Sequence, residues 1–300
     1  MKIKHLLCFI ALCLFFTPGK AQQLSVMTLR NGATVYIWED KSKPDVFGMI
    51  AFKVGSVDDP EQYTGLAHYL EHVMFKGTQT IDALDWEKEK PIYEKIIAKY
   101  DERAALSDPA AREAVDKEIN DLTREAAQYA AGNEFSLLVD HMGGQGLNAS
   151  TGYDQTEYHN SFPPSQLEKW LEIYSERLID PVFRGFQTEL EAVYEEYNMY
   201  NDDRGSRMRE FIYEQAFGDH PYARPIIGLP EHLKNPQLSK LIDFYNTWYG
   251  PQNMSIILVG NIDAKEAIPM IRDKFERVPR RAEIHREKKP VRQFKGRTEK

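Results

Sequence analysis

The stretch GLAHYLEHVMFKGT, residues 65–78, carries the pattern on which the interpretation of this sequence depends. His68 and His72 are four residues apart, so a helix places both imidazoles on one face. Two imidazoles at this spacing can reach one metal ion at about 2.0–2.1 Å. Glu71 lies beside the same position, where a carboxylate can take a proton from a metal-bound water. The spacing therefore predicts a helix that carries a metal site.

The order H-x-x-E-H is the inverse of the common zinc-peptidase motif. The alternative is an amphipathic helix whose histidines serve packing, because the same stretch contains an apolar stripe at helical spacing. The chain has only 8 histidines in 300 residues, so this arrangement is expected by chance far less than once. The motif therefore favours the metal site over the packing helix.

The first 21 residues have the pattern of a secretory signal peptide. A basic start precedes an apolar run from Leu6 to Phe16, which is too short to span a bilayer as a helix. Gly19 and Ala21 are the small residues that precede a cleavage site. We therefore expect residues 1–21 to be removed rather than kept as a signal anchor. The expected location is periplasmic or secreted, with no membrane association after cleavage.

Composition restricts the kind of metal site. Cys8 and Cys13 are the two cysteines of the chain and both lie in the predicted signal peptide, so thiolate ligands and disulfides are excluded from the remainder. A metal must then be held by histidine and carboxylate. The net charge is −8, and no basic patch is dense enough to indicate nucleic-acid binding. Neither a Ser/His/Asp nor a cysteine nucleophile scheme has a supporting motif.

The chain alternates between strand and helix patterns. Residues 24–38 predict a hairpin about Asn31-Gly32, and residues 147–162 predict two strands about Gly152. Thr64 is predicted to cap the histidine helix. Further strands are predicted at 46–54 and 254–259, and further helices at 165–179, 186–201, 206–217, 237–249 and 263–276.

Residues 86–131 differ from their surroundings in being rich in Glu, Lys and Ala. Apolar residues recur at helical spacing on both sides of a break at Ser107-Asp108-Pro109. The pattern predicts an inserted helical hairpin with a coiled-coil seam. Its composition favours an inert, solvated insertion over a role in binding substrate or a partner.

A site of this type usually has three protein ligands and a water, so two histidines need a third donor. The helix predicted at 186–201 carries Glu189 and Glu196 on one flank of its apolar stripe, and Glu191 and Glu195 on the other. Helix geometry allows either flank to face the metal, and all four carboxylates also fit a solvated acidic face. The residues alone leave the third ligand open.

Four stretches together resemble the pitrilysin/insulinase family of zinc peptidases, over about residues 24–277. They are GSVDDPEQYTGLAHYLEHVMFKGT, LNASTGYDQTEYHNSFP, TELEAVYEEYNM and YNTWYGPQNMSIILVGNID, in the family's order. The resemblance implies an α+β fold, with helices packed on a largely antiparallel sheet. It also implies Zn²⁺ held by His68, His72 and Glu196, with Glu189 as an acid that orients a histidine ligand.

The resemblance further implies a zinc-dependent endopeptidase that hydrolyses peptides or unfolded proteins, with the zinc-bound water activated by Glu71. The family's LNAxT motif maps onto residues 147–151. It implies that Asn148 and Ala149 pair with the main chain of an extended substrate. Asn148 also begins a glycosylation sequon, and a glycan would block this edge, so we expect a bacterial periplasmic setting.

The sequence departs from the family in extent. Active members enclose substrate between two halves of two domains each, whereas this sequence ends where the first domain ends. We expect a catalytic domain at 22–279, with residues 86–131 accounting for the long gap between His72 and Glu196, and a linker at 280–300 towards a missing second domain. A second homologous half or partner subunit is then expected. The alternative is a non-catalytic scaffold or binding subunit of the same fold, and a different metal hydrolase with the same ligands is a further alternative.

Overall fold

The computed structural model describes residues 23–281, 283–286 and 290. In this part of the chain, six strands form one sheet: β1 (Gln23–Thr28), β2 (Thr34–Glu39), β3 (Val46–Phe52), β4 (Gln145–Thr151), β5 (Thr156–Phe162) and β6 (Met254–Gly260). The helices are α1 (Leu66–Val73), α2 (Trp86–Ala105), α3 (Pro109–Ala126), α4 (Glu134–His141), α5 (Leu167–Glu176), α6 (Phe186–Asp202), α7 (Arg204–Phe217), α8 (Pro230–Leu233), α9 (Leu238–Trp248) and α10 (Ala264–Phe275). The predicted signal peptide at 1–21 and most of the predicted linker at 280–300 lie outside the described residues.

The strands are ordered β1-β2-β6-β3-β5-β4 across the sheet. All neighbouring strands are antiparallel except β2 and β6, which are parallel. The predicted α+β fold with a largely antiparallel sheet is therefore confirmed. Strand β4 forms one edge of the sheet and pairs only with β5 within the described residues.

Helices cover one face of the sheet. Alternate residues of the central strands are buried there, among them Ile50 of β3 and Leu258 of β6. Trp170 of α5 lies directly on β3, where a Cβ at Gly48 would come within 2.5 Å of the indole ring. Its Nε1 donates a hydrogen bond to Asn160 of β5 at 2.8 Å. This packing fixes the sheet on which the histidine helix α1 rests.

The start of α1 differs from the prediction. Its N-cap residue is Gly65, with a φ of 88°, and the prediction of Thr64 as cap was wrong. The carboxylate of Asp59 accepts hydrogen bonds from the N–H groups of Gly65 at 2.7 Å and Ala67 at 2.9 Å. The Thr64 hydroxyl instead accepts from the N–H of Leu229 at 2.9 Å. The side chain of Asp59, six positions before Gly65, therefore accepts hydrogen bonds from N–H groups at the start of the helix.

The predicted helical hairpin is confirmed as α2 and α3, and it packs on the rest of the protein. Tyr100 of α2 is buried, stacks edge-on against Phe186 at 4.7 Å between ring centroids, and donates a hydrogen bond to Gln187 at 3.2 Å. Phe186 and Gln187 form the first turn of α6. The hairpin therefore supports the N-terminal end of the helix that carries Glu196.

None of the helices in the described ranges has both the length and the apolar composition needed to cross a bilayer.

Candidate metal centre

Three of the side chains singled out in the sequence converge at one point. Glu196 Oε2 lies 3.5 Å from His68 Nε2 and 3.5 Å from His72 Nε2. One donor atom from each residue lies within 4.8 Å of the other two. A tetrahedral zinc ion with ligands at 2.0–2.1 Å separates its donors by about 3.3–3.4 Å. The spacing and the donor set, two imidazole nitrogens and one carboxylate oxygen, therefore fit zinc.

His68 is held as a neutral imidazole. Burial, together with the charge of His72, lowers the pKa of His68 to about 3. An unprotonated imidazole is the form that binds a metal, so no proton has to be displaced at neutral pH. The two rings meet edge to face, with 4.8 Å between their centroids. His68 Nδ1 is buried and has no hydrogen-bond partner among the described residues.

Glu71 faces the same space without belonging to the converging trio. Its side chain is buried, and burial raises its pKa. The hydroxyl of Thr151, the last residue of β4, donates a hydrogen bond to Glu71 Oε2 at 2.5 Å. Thr151 belongs to the LNAxT motif, but its contact with Glu71 was missed because it joins residues that are 80 positions apart.

Glu189 lies behind His72. Its Oε2 is 3.4 Å from His72 Nδ1, and its Oε1 is 2.5 Å from the ammonium group of Lys76. Burial alone would lower the pKa of His72, but the hydrogen bond to Glu189 and the charges of Glu71 and Glu196 raise it overall. Lys76 was missed, although its position four residues after His72 was a signal for it.

Helix α6 turns its two acidic flanks in different directions. The flank with Glu189 and Glu196 faces the histidines. Glu191 and Glu195 line a groove on the other side, between α6 and the helical hairpin, which also contains Asp116. The structure therefore brings one of the two predicted flanks to the histidines and separates the other from them.

A cavity of about 290 Å³ opens beside His68, Glu71 and Glu196. Its walls are the end of β4, the C-terminal part of α6, the first turns of α7 and the loop 225–227. Tyr200 and Arg209 line it as well. The sequence did not identify these two residues, because Tyr200 lies on α6 and Arg209 on α7, and no local pattern connects either residue with the histidine helix.

The edge strand β4 borders this cavity. Asn148 is exposed and lies opposite His159 of β5, while Ala149 is buried and lies opposite Tyr158. Ala149 also lines the cavity, whereas Asn148 does not. The edge of β4 that faces away from β5 has no strand partner in the part of the chain described here, so its main chain is open for pairing.

The sequence profile of the insulinase family, peptidase family M16, matches residues 34–90 and 122–229, which is more than half of the chain. The protein belongs to this family. A second profile, that of the peptidase M16 inactive domain, matches residues 237–300. The converging trio lies entirely within the segments matched by the insulinase profile. The unmatched residues 91–121 of this M16 protein fall inside its helical hairpin.

Curated relatives of this M16 protein include bacterial zinc proteases. It is 25% identical over 270 residues to the probable zinc protease PqqL of Escherichia coli, covering 86% of this chain and 23% of the relative. It is 24% identical over 254 residues to the zinc protease PqqE of Helicobacter pylori, covering 83% and 46%. The chain therefore spans less than half the length of these relatives.

Solved structures share the fold. The first half of the periplasmic protease PqqL from Escherichia coli matches with a TM-score of 0.68 and 24% identity, over 90% of this chain and 50% of that one. Pitrilysin matches with a TM-score of 0.67 and 22% identity, over 91% of this chain and 25% of that one. At these identities the likeness establishes the fold alone.

Proposed function

We propose that this protein is a zinc-dependent endopeptidase, in which His68, His72 and Glu196 hold Zn²⁺. The convergence of two imidazole nitrogens and one carboxylate oxygen supports the proposal most strongly, because this donor set and spacing suit zinc. When bound, zinc supplies a Lewis acid that polarises the scissile carbonyl and lowers the pKa of water to about 7.

Glu71 acts as the general base in this proposal. It removes a proton from the attacking water and passes that proton to the leaving amine. Thr151 donates a hydrogen bond to one carboxylate oxygen of Glu71, and in this proposal the other oxygen takes the proton. Burial raises the pKa of Glu71, which makes its carboxylate a stronger base.

Glu189 positions His72 in the same scheme. Its carboxylate accepts a hydrogen bond from His72 Nδ1, so the lone pair of Nε2 points towards Glu196 and the metal position.

An extended peptide adds to the sheet at β4. The main chain at Asn148 and Ala149 pairs with the substrate main chain, in the manner of an added strand. The open edge of β4 and its position beside the cavity support this mode of binding. Because such pairing uses main-chain groups, the site selects extended peptides or unfolded proteins and does not select for one particular side chain.

We propose that residues 22–279 form the catalytic domain, with residues 86–131 as an insertion and residues 280–300 as a linker. A second half or a partner subunit completes the enzyme, as the greater length of the relatives suggests. The periplasmic PqqL protease supports a periplasmic location, or secretion, after cleavage behind residue 21.

A non-catalytic scaffold is the second candidate function. The match of residues 237–300 to the profile of the inactive domain favours it. The presence of Glu71 together with the complete trio argues against it, because a scaffold needs neither a metal nor a base.

Substitution of Glu71 in the full-length native protein tests the proposal. We expect Glu71→Gln to keep zinc but to lose peptide hydrolysis by about 10²–10⁴-fold, whereas His68→Ala loses both. Glu191→Gln, on the opposite flank of α6, is the matched control and keeps both. Zinc content and cleavage of a quenched fluorescent peptide are measured on the same preparations. Cleavage that survives in Glu71→Gln contradicts the assignment of the base, and a zinc-loaded parent protein that cleaves nothing favours the scaffold.

A further inference from the structure

A line of contacts leads from a lysine to the metal position. Lys76 Nζ lies 2.5 Å from Glu189 Oε1, and the other carboxylate oxygen lies 3.4 Å from His72 Nδ1. The far nitrogen of the same ring lies 3.5 Å from Glu196. The two oxygens of Glu189 are therefore divided between a cation and a histidine, and the lysine contact restricts how the carboxylate can rotate.

Lys76 is itself firmly held. Its N–H donates to the carbonyl of Val73 at 3.1 Å, and its carbonyl accepts from Arg184 Nη1 at 3.2 Å. Arg184 donates two hydrogen bonds to Glu89, at 2.6 and 2.8 Å, and the two side chains are only 9% and 2% exposed. The lysine therefore extends from a backbone that is connected to the first turn of the helical hairpin.

A lysine at this place has an electrostatic cost for a zinc site. A cation near the position of a divalent cation repels it, so removing the lysine should strengthen zinc binding if charge alone mattered. A positioning role instead predicts that removing the lysine weakens zinc binding. Without Lys76 the Glu189 carboxylate is free to turn, and His72 loses the partner that fixes its ring.

We propose that Lys76 is a positioning residue that acts through Glu189 to hold His72 with Nε2 directed at the metal. The inference rests on the proposed zinc site. Lys76 touches neither the metal position nor the cavity beside it, so its effect on zinc passes through the Glu189 carboxylate.

Competitive titration of zinc against a chromogenic chelator shows whether the loss of Lys76 weakens or strengthens zinc binding. We expect Lys76→Met to weaken zinc binding by about 10–100-fold, as loss of an outer hydrogen-bond partner does in other sites. Lys76→Arg keeps the positive charge and the contact with Glu189, and should retain most of the parent's affinity for zinc. Lys99→Met removes a lysine that pairs with Glu102 and Glu118 on the helical hairpin, and should leave zinc affinity unchanged.

A double-mutant cycle tests whether Lys76 acts on zinc binding through Glu189. Because Lys76 is proposed to act only through Glu189, Lys76→Met combined with Glu189→Gln should bind zinc no more weakly than Glu189→Gln alone. The visible spectrum of the cobalt-substituted protein provides a second readout. It should change in Lys76→Met and Glu189→Gln in the same way, since both remove the ion pair between Lys76 and Glu189 that fixes the acceptor of His72.

Several results overturn the inference. Zinc binding in Lys76→Met that equals or exceeds that of the parent contradicts a positioning role, and so does an additive loss in the double variant. If His68→Ala abolishes zinc binding while Lys76→Met does not change it, the metal site stands and the role of Lys76 is wrong. A parent protein that binds no zinc overturns the metal site and this inference together.

Discussion

His68 and Glu71 are each 9% exposed, and burial acts on these two side chains in opposite directions. It lowers the pKa of the imidazole to about 3 and raises the pKa of the carboxyl group. Burial is the largest cause of both pKa shifts, since a poorly solvated site disfavours the charged form of either group. Burial thereby suits His68 to its proposed role as a neutral ligand, and Glu71 to its proposed role as a base.

The depressed pKa of His68 predicts a pH dependence of stability in the metal-free protein. The unfolded chain takes up a proton on this residue near pH 6.5, whereas the folded chain resists protonation until about pH 3. The free energy of unfolding should therefore fall as the pH drops below 6.5, by up to about 1.4 kcal/mol per pH unit from this group. Urea denaturation at pH 7 and pH 5 measures it, with His68→Asn as control. Equal pH slopes for the two proteins contradict the prediction.

Single residues were predictable from the sequence where their partners lie within one helical turn. His68, Glu71 and His72 come from one stretch of five residues, so their spacing carried the information. The cap of that helix was predicted wrongly as Thr64, because Asp59 reaches it through a folded loop. Contacts of this kind depend on the tertiary structure and leave no local pattern.

At the scale of elements, α6 determines which carboxylate meets the histidines. Its apolar stripe packs on the core through Leu190 and Val193, which directs the flank with Glu189 and Glu196 towards α1. The spacing of these residues indicated two flanks but not the choice between them. The choice depends on how α6 rotates against α1, which is a property of packing.

Substitutions along α6 should separate the two flanks. We expect Glu196→Gln to weaken zinc binding strongly, since a neutral amide replaces a charged donor. Glu195→Gln and Glu191→Gln should each change zinc affinity by less than about threefold, because they face the groove beside the helical hairpin. Isothermal titration with zinc measures all three variants. A larger effect at Glu191 or Glu195 than at Glu196 would reverse the assignment.

The start of α1 offers a second test at this scale. Gly65 has a φ of 88°, and a Cβ there would lie 2.5 Å from the carbonyl oxygen of Ile227. Gly132 also has a positive φ, of 75°, but no atom of the described residues is found within 4 Å of a Cβ at that position. We expect Gly65→Ala to lower the free energy of unfolding by at least about 1 kcal/mol more than Gly132→Ala. Equal losses on denaturation would show that the contact with Ile227 is unimportant.

Most elements followed from periodicity and turn residues, but their arrangement did not. The hairpin of β1 and β2 was predicted from alternation about Asn31-Gly32, and it is confirmed. The parallel pairing of β2 with β6 joins residues more than 200 positions apart, which no local pattern encodes. The order of strands in the sheet was therefore not predicted.

Across the whole molecule, the candidate metal centre and the edge of β4 proposed to bind substrate differ in how complete they are. The converging trio lies between residues 68 and 196, inside one folded unit. The cavity beside it is bounded by β4, α6 and α7. Within the described residues, nothing pairs with the outer edge of β4, where the proposed substrate binds. Metal binding should therefore be self-sufficient, whereas catalysis should depend on what encloses the substrate.

We expect residues 22–300 alone to cleave unstructured peptides poorly. Catalysis needs a substrate held in position and shielded from water, and these tasks fall partly to the proposed second half. Adding the remainder of the native chain, or the partner subunit, should raise the rate of peptide cleavage far more than it raises zinc affinity. Hydrolysis of a quenched fluorescent peptide and zinc titration are compared with and without the added part. Full activity of the short chain would show that the first domain needs no second half.

The proposed zinc site of His68, His72 and Glu196 lies within one chain, so the zinc content of that chain measures it without a partner or a substrate. Residues 22–300 are purified without chelator, dialysed against trace zinc and analysed by mass spectrometry for zinc per chain, together with His68→Ala, His72→Ala and Glu196→Gln. We expect one zinc per parent chain, and clear loss in all three variants, each of which removes or neutralises one of the three donors. A parent chain without stoichiometric zinc, or variants that keep it, would show that these residues do not form the site.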